Sequence, residues 1–177
     1  MRSLVVLAIV LFISALVMRP GENEYREFAN QGGYYANNME YYHSHAEALC
    51  LTPSTASQCP KQTAIIPLEG RPGASSAMQY GRGFITITDG KTYIATVSQP
   101  VGYVSWNNLF SWIVNAINND TSKSMSVGRW SASRQGVVMV NVSAKALTLP
   151  GFYSIPQGTA GVNFTDGMPV LVTPLYS

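Results

Sequence analysis

The sequence predicts an α+β protein: an N-terminal membrane helix and an amphipathic stem helix, followed by a small antiparallel β-sheet domain with one further helix. Three observations predict it. An uninterrupted apolar stretch opens the chain, and apolar residues then recur at helical spacing as far as Leu49. Further on, two alternating runs flank an Asp-Gly pair, and a second helical period follows them.

The chain of 177 residues is long enough for one domain of ~100–150 residues with a short appendage. Charged residues make up 11% of it, well below the usual ~25%, while aromatic residues also reach 11%. That combination argues against disorder, which needs much charge and few rings. It is common in exported β-rich domains, where Tyr, Asn, Ser and Thr keep the surface wet.

The apolar stretch runs from Ser3 to Met18 between Arg2 and Arg19. At ~1.5 Å per residue it covers roughly 24 Å, slightly less than the ~30 Å hydrocarbon core, and the flanking arginines can snorkel to make up the difference. Leu4, Val5, Val6, Leu7, Ala8, Ile9, Val10, Leu11, Phe12, Ile13, Leu16 and Val17 are the residues expected to face lipid. The alternative is a cleaved signal peptide. Signal peptidase needs small residues one and three positions before the cut, yet Ile13 precedes Ala15 by two and Phe12 precedes Ser14 by two. The expected organisation is therefore an anchor over 1–19, a stem over 20–50 and an extracytoplasmic domain over 51–177. Arg2 and the terminal amine favour a cytoplasmic N-terminus, with Arg19 and Arg26 opposing.

After Pro20-Gly21, apolar or small residues fall at Tyr25, Phe28, Ala29, Gly32, Tyr35, Ala36, Met39, Tyr42, Ala46 and Leu49. Steps of three and four form one stripe of an amphipathic helix. Two readings are open: the stripe covers the protein's own sheet, or Tyr25, Phe28, Gly32, Tyr35, Ala36, Met39 and Tyr42 dock a neighbouring subunit. Gly32-Gly33 costs helix stability, about 1 kcal/mol per Gly relative to Ala, and lets another backbone approach closely.

Cys50 and Cys59 are the sole cysteines and lie among Pro53 and Pro60, a spacing that fits a small disulfide loop in an oxidising compartment. Two free thiols are the alternative. Pro, Gly, Ser and Thr dominate from Thr52 to Ala77, which predicts a long irregular connection with a short strand near Ile65-Ile66-Pro67-Leu68. Phe84–Thr88 and Thr92–Val97 then flank Asp89-Gly90, whose positive φ angles form a tight hairpin turn. Trp106, Leu109, Phe110, Ile113, Val114 and Ile117 predict a helix behind Ser105, ended by Asn118-Asn119-Asp120. A second pair of strands is expected over 124–130 and 137–143 around Arg134-Gln135-Gly136. The last strand, 168–173, carries Pro169 with Pro174 behind it, which predicts a sheet edge.

The motifs for chemistry are sparse. His43 and His45 point some 200° apart on a helix and cannot chelate one ion; a helical zinc site wants i and i+4. Neither a phosphate loop nor GxSxG is present, and both histidines lie in the stem, away from an expected cleft. The expectation is a non-enzyme without cofactor. Basic residues are scattered, which excludes a nucleic-acid stripe. The acidic stem (Glu22, Glu24, Glu27, Glu40 and Glu47 against Arg26) and the more basic remainder would suit head-to-stem packing within a subunit or between subunits of a homo-oligomer, or are merely solvated. N-x-S/T triplets begin at Asn119, Asn141 and Asn163.

An apolar N-terminus, the helical segment Tyr34-Tyr35-Ala36-Asn37-Asn38-Met39-Glu40-Tyr41-Tyr42 and a small β-containing domain with Pro-rich loops resemble the PilM family of type IVb (thin) pilus systems. The layout is also similar to that of minor pilins, with their long N-terminal helix and globular head. The resemblance implies a non-enzymatic inner-membrane component of a pilus basal body or assembly apparatus, its partners being the pilin or other inner-membrane assembly proteins. The alternatives are a pilin-like fibre subunit and a secreted binding module or adhesin. No Gly or Glu occurs among residues 1–20, so the prepilin peptidase pattern is missing and retention in the membrane is expected.

Overall fold

The computed structural model describes residues 2–67, 81–98, 104–119, 126–141 and 151–175, and the side chains of its first helix from Glu24 onward. That helix, α1, runs unbroken over Arg2–Leu51. Fifty residues at ~1.5 Å each give a rod of about 75 Å. Anchor and stem, expected as two helices, are thus one. The apolar residues Leu4 to Val17 lie in α1, but their side chains fall outside the described residues. Among the described residues no helix is long and apolar enough to cross a membrane.

The other described α-helix and strands are β1 (Gly81–Thr88), β2 (Lys91–Ser98), α2 (Trp106–Asn119), β3 (Ser126–Ser131), β4 (Gly136–Asn141), β5 (Phe152–Ser154) and β6 (Pro169–Pro174). The described strands form one antiparallel sheet in the order β1-β2-β6-β3-β4-β5. Its outer strands β1 and β5 come into contact, so the sheet curls. The α+β expectation therefore holds, with one further helix beside α1.

Local chemistry explains the turns. Asp89 and Gly90 take φ of 52° and 73°, as the hairpin between β1 and β2 requires. Gln135 does the same at 50° before β4. Ile65 does not begin a separate strand; it makes an isolated bridge to Phe84, with Ile66 N–H donating to the Gly83 carbonyl and Ile85 N–H to that of Ala64. Leu68 lies outside the described residues.

The last strand overturns the expectation of an edge, because β6 sits at the centre, between β2 and β3. Its prolines occupy the two ends of the strand. Leu175 N–H donates to Thr92 on β2, and N–H direction alternates along a strand, so the Pro169 nitrogen also faces β2. The β2 ladder ends at Thr96↔Leu171, before that position. The Pro174 nitrogen faces β3, whose ladder among the described residues runs to Ser126↔Val172. Among the described residues neither missing donor interrupts a ladder.

Alternation divides the sheet. Phe84, Tyr93, Ala95, Val97, Trp130, Val137, Tyr153, Val170 and Val172 point into the curl, where Phe164 joins them. Trp130 stacks on Phe164 at 5.4 Å and donates its indole N–H to the Ile155 carbonyl at 2.9 Å. Tyr93 and Tyr153 meet edge to face at 4.8 Å. Burial, and then the neighbouring Tyr93, push the Tyr153 phenol well above its ordinary pKa, and its hydroxyl has no hydrogen-bond partner among the described residues. The opposite face lies under the C-terminal half of α1, beside which α2 packs.

Candidate functional site

Two places on the helix layer concentrate polar or aromatic chemistry. The first is a buried polar row between α1 and the sheet. His43 is fully buried, with Nδ1 3.0 Å from Thr96 Oγ1 and Nε2 2.8 Å from Thr173 Oγ1. Glu47, one turn along α1, places Oε1 3.5 Å from Nε2. Asn38 Nδ2 donates to Ser98 Oγ at 3.4 Å, while its Oδ1 has no partner among the described residues. Both ring nitrogens of His43 are engaged, which a buried polar side chain requires.

Glu47, His43 and Thr173 bring together the residue types of a nucleophile relay, but their geometry is different. In a relay the acid orients one ring nitrogen while the nucleophile addresses the other. Here Glu47 and Thr173 both address Nε2. The arrangement fastens a helix to two strands. His45 faces solvent, accepts or donates nothing to the sheet, and stacks on Tyr41 at 4.0 Å with Nδ1 2.8 Å from the Tyr41 carbonyl. The two histidines are thus on opposite sides of α1, and no group of three or more His, Cys, Asp or Glu comes together among the described residues.

The second place is the seam between α1 and α2. Tyr35 meets Trp106 edge to face at 5.2 Å, Gly32 lies against Trp112 and Ile113, and Tyr25 meets Trp112 at 4.5 Å and 85°. Falling numbers on α1 pair with rising numbers on α2, so the helices are antiparallel. A Cβ on Gly32 would overlap that of Trp112, whereas one on Gly33 would meet nothing within 4 Å. The close approach that the two glycines predict is made by Gly32, and the backbone that approaches belongs to α2.

The seven interface candidates are placed as follows. Gly32, Ala36, Met39 and Tyr42 are buried within the chain itself, and Phe28 and Tyr35 pack against the same core. Tyr42 lies under Gly81, where any larger residue would overlap its ring. Tyr25 differs: it is 61% exposed although Trp112 holds its ring. Burial also raises the Tyr35 phenol pKa, with Tyr34 adding to it. Cys50 and Cys59 form the disulfide, which ties the end of α1 to the loop behind it with Cα atoms 4.9 Å apart. Of the three N-x-S/T triplets, Asn163 is exposed and takes a hydrogen bond from Gln157, and the side chains of Asn119 and Asn141 lie outside the described residues.

Sequence reasoning missed Thr96, Ser98 and Thr173 as partners of α1. They lie 53 to 130 residues from the side chains they bond, or 60 for Ser98, and nothing local marks them. Trp112 is not among the positions that predict α2, and its role as the prop of Tyr25 was missed as well. Comparison with protein-family models, with characterised proteins and with solved structures finds no match to this chain.

Proposed function

We propose that the chain is a non-enzymatic, inner-membrane component of a type IVb pilus assembly apparatus or basal body, which works by protein–protein contact. Residues 4–17 anchor it, and the body lies in the periplasm. The observation that carries this reading is the continuity of α1: one helix leads from the apolar stretch into the core of the body, so a tether and a rigid head are a single mechanical unit. The Cys50–Cys59 disulfide agrees with an oxidising compartment. The pilus assignment itself rests on the resemblance of residues 34–42. Of these, Ala36, Asn38, Met39, Glu40 and Tyr42 are buried, so the motif encodes how the helix seats on the sheet.

The same unbroken helix favours a second reading, a pilin-like subunit of the fibre, since a long N-terminal helix with a head on its C-terminal half is the layout of minor pilins. Cell fractionation separates the two. The assembly-component reading expects the protein in the inner membrane and not in sheared surface fibres. Recovery in the fibres would assign it to the filament, and recovery in soluble periplasm would remove the anchor from the mechanism.

A further inference from the structure

The end of the body nearest the apolar stretch has a composition and a height that fit a lipid surface. Tyr25 is the most exposed large apolar side chain among the described residues, at 61%, yet its ring is fixed by Trp112. Trp112 is itself half-buried, unlike Trp106 and Trp130 in the core. Over its 14 residues α2 carries no charged side chain, and its exposed positions are Asn107, Asn108, Ser111, Asn115 and Asn118. Rings with one polar edge, such as Tyr and Trp, favour the headgroup level of a bilayer.

The height follows from helix geometry. Gly32 lies against Ile113, and the six residues from there to Asn119 carry α2 about 9 Å further along the seam. Tyr25 lies about 10 Å from Gly32 in the same direction. Both therefore end at one level. Met18, the last residue of the apolar stretch, is seven residues before Tyr25, again about 10 Å. An apolar run of ~24 Å centred in a ~30 Å hydrocarbon core leaves the core boundary about 3 Å beyond Met18. Tyr25 then lies about 7 Å outside that boundary, within a headgroup layer of ~5–8 Å.

We propose that the Tyr25–Trp112 end of the body rests in the lipid headgroup layer, so that the head sits on the bilayer instead of standing away from it on a stem. The proposal builds on the membrane-anchor reading. Arg26 stands between Glu24 and Glu27, all exposed, so local charge nearly cancels and the rings supply the contact. Attachment is accordingly expected in uncharged phosphatidylcholine as well.

The test uses the full chain in phosphatidylcholine vesicles doped with a nickel-chelating lipid. Among the described residues there is no free cysteine, so Asn115→Cys and, separately, Ala48→Cys each offer one site for a nitroxide. Ala48 lies 23 residues past Tyr25 along α1, about 35 Å further from the membrane. Relaxation by the lipid-bound nickel at least threefold stronger at 115 than at 48 is the expected result. Equal relaxation, in protein that floats with the vesicles and resists alkaline extraction, overturns the proposal and leaves the anchor standing. Protein that neither floats nor resists extraction overturns the anchor reading, and the proposal with it. Dipolar broadening between labels at 115, without nickel relaxation, would assign this end to a second copy of the chain and overturn the lipid assignment.

Discussion

The face of the sheet under α1 is fastened by an imidazole, an amide and three hydroxyls, whereas the inside of the curl is filled by rings. On the helix face His43 bridges Thr96 and Thr173, and Asn38 reaches Ser98. Within the curl Trp130, Phe164, Tyr93, Tyr153 and Phe84 meet each other stacked or edge to face. Ring packing is tolerant of small displacements and gains free energy from area removed from water. A buried hydrogen bond has a narrow geometry and gains little net stability, but its loss leaves a partner unpaired. The comparison therefore assigns bulk stability to the curl and the register of α1 on the sheet to the polar row.

The largest expected effect tests the first half of that assignment. Trp130→Ala removes a stacked ring and an indole hydrogen bond, and is expected to lower stability by ~3–5 kcal/mol in denaturant titration. A loss below about 1 kcal/mol would mean that the curl is not where stability resides. Next, His43→Leu strands two threonine hydroxyls and should cost ~2–3 kcal/mol. Adding Thr96→Val and Thr173→Val to it should recover most of this loss, since apolar replacement of both sides of a hydrogen bond is nearly neutral. A triple variant less stable than His43→Leu alone would show that packing, not pairing, holds α1 there.

The two adjacent glycines sharpen the comparison along the helix seam. Gly32→Ala is expected to destabilise by ~1–3 kcal/mol, because its methyl overlaps Trp112. Gly33→Ala, with open space around it, should stabilise by about 1 kcal/mol through helix propensity. Equal shifts in thermal melting of the two variants would contradict the close contact of α1 with α2. The smallest effect belongs to the curl: Tyr153→Phe deletes a buried hydroxyl without a partner among the described residues and is expected to raise stability by about 1 kcal/mol. A fall in stability would reveal a polar contact made by that hydroxyl.

Legibility in the sequence followed the range of the interactions. The β1–β2 hairpin was readable because Asp89-Gly90 specifies its turn within four residues, and α2 because its apolar residues repeat at the helical period. The stripe from Tyr25 to Leu49 announced an apolar helix face, but not what covers it. The candidate site was less legible. Tyr25 was visible as one position of that stripe, and its exposure depends on where α2 ends. The polar row was invisible, since a histidine on a helix reads alike whether its partners are water or two threonines from distant strands.

By itself the sequence determined the features decided by neighbours in the chain: the hairpin turn, the periods of both helices, and the cysteine spacing that permits the disulfide loop. Tertiary structure alone decided that β6 is central, because a proline's missing donor matters only where a ladder extends that far, and ladder length belongs to the partners β2 and β3. It also decided which glycine is the contact. Gly32 and Gly33 are identical locally, and only the approach of α2 distinguishes them, since steric overlap is a property of two surfaces and never of one.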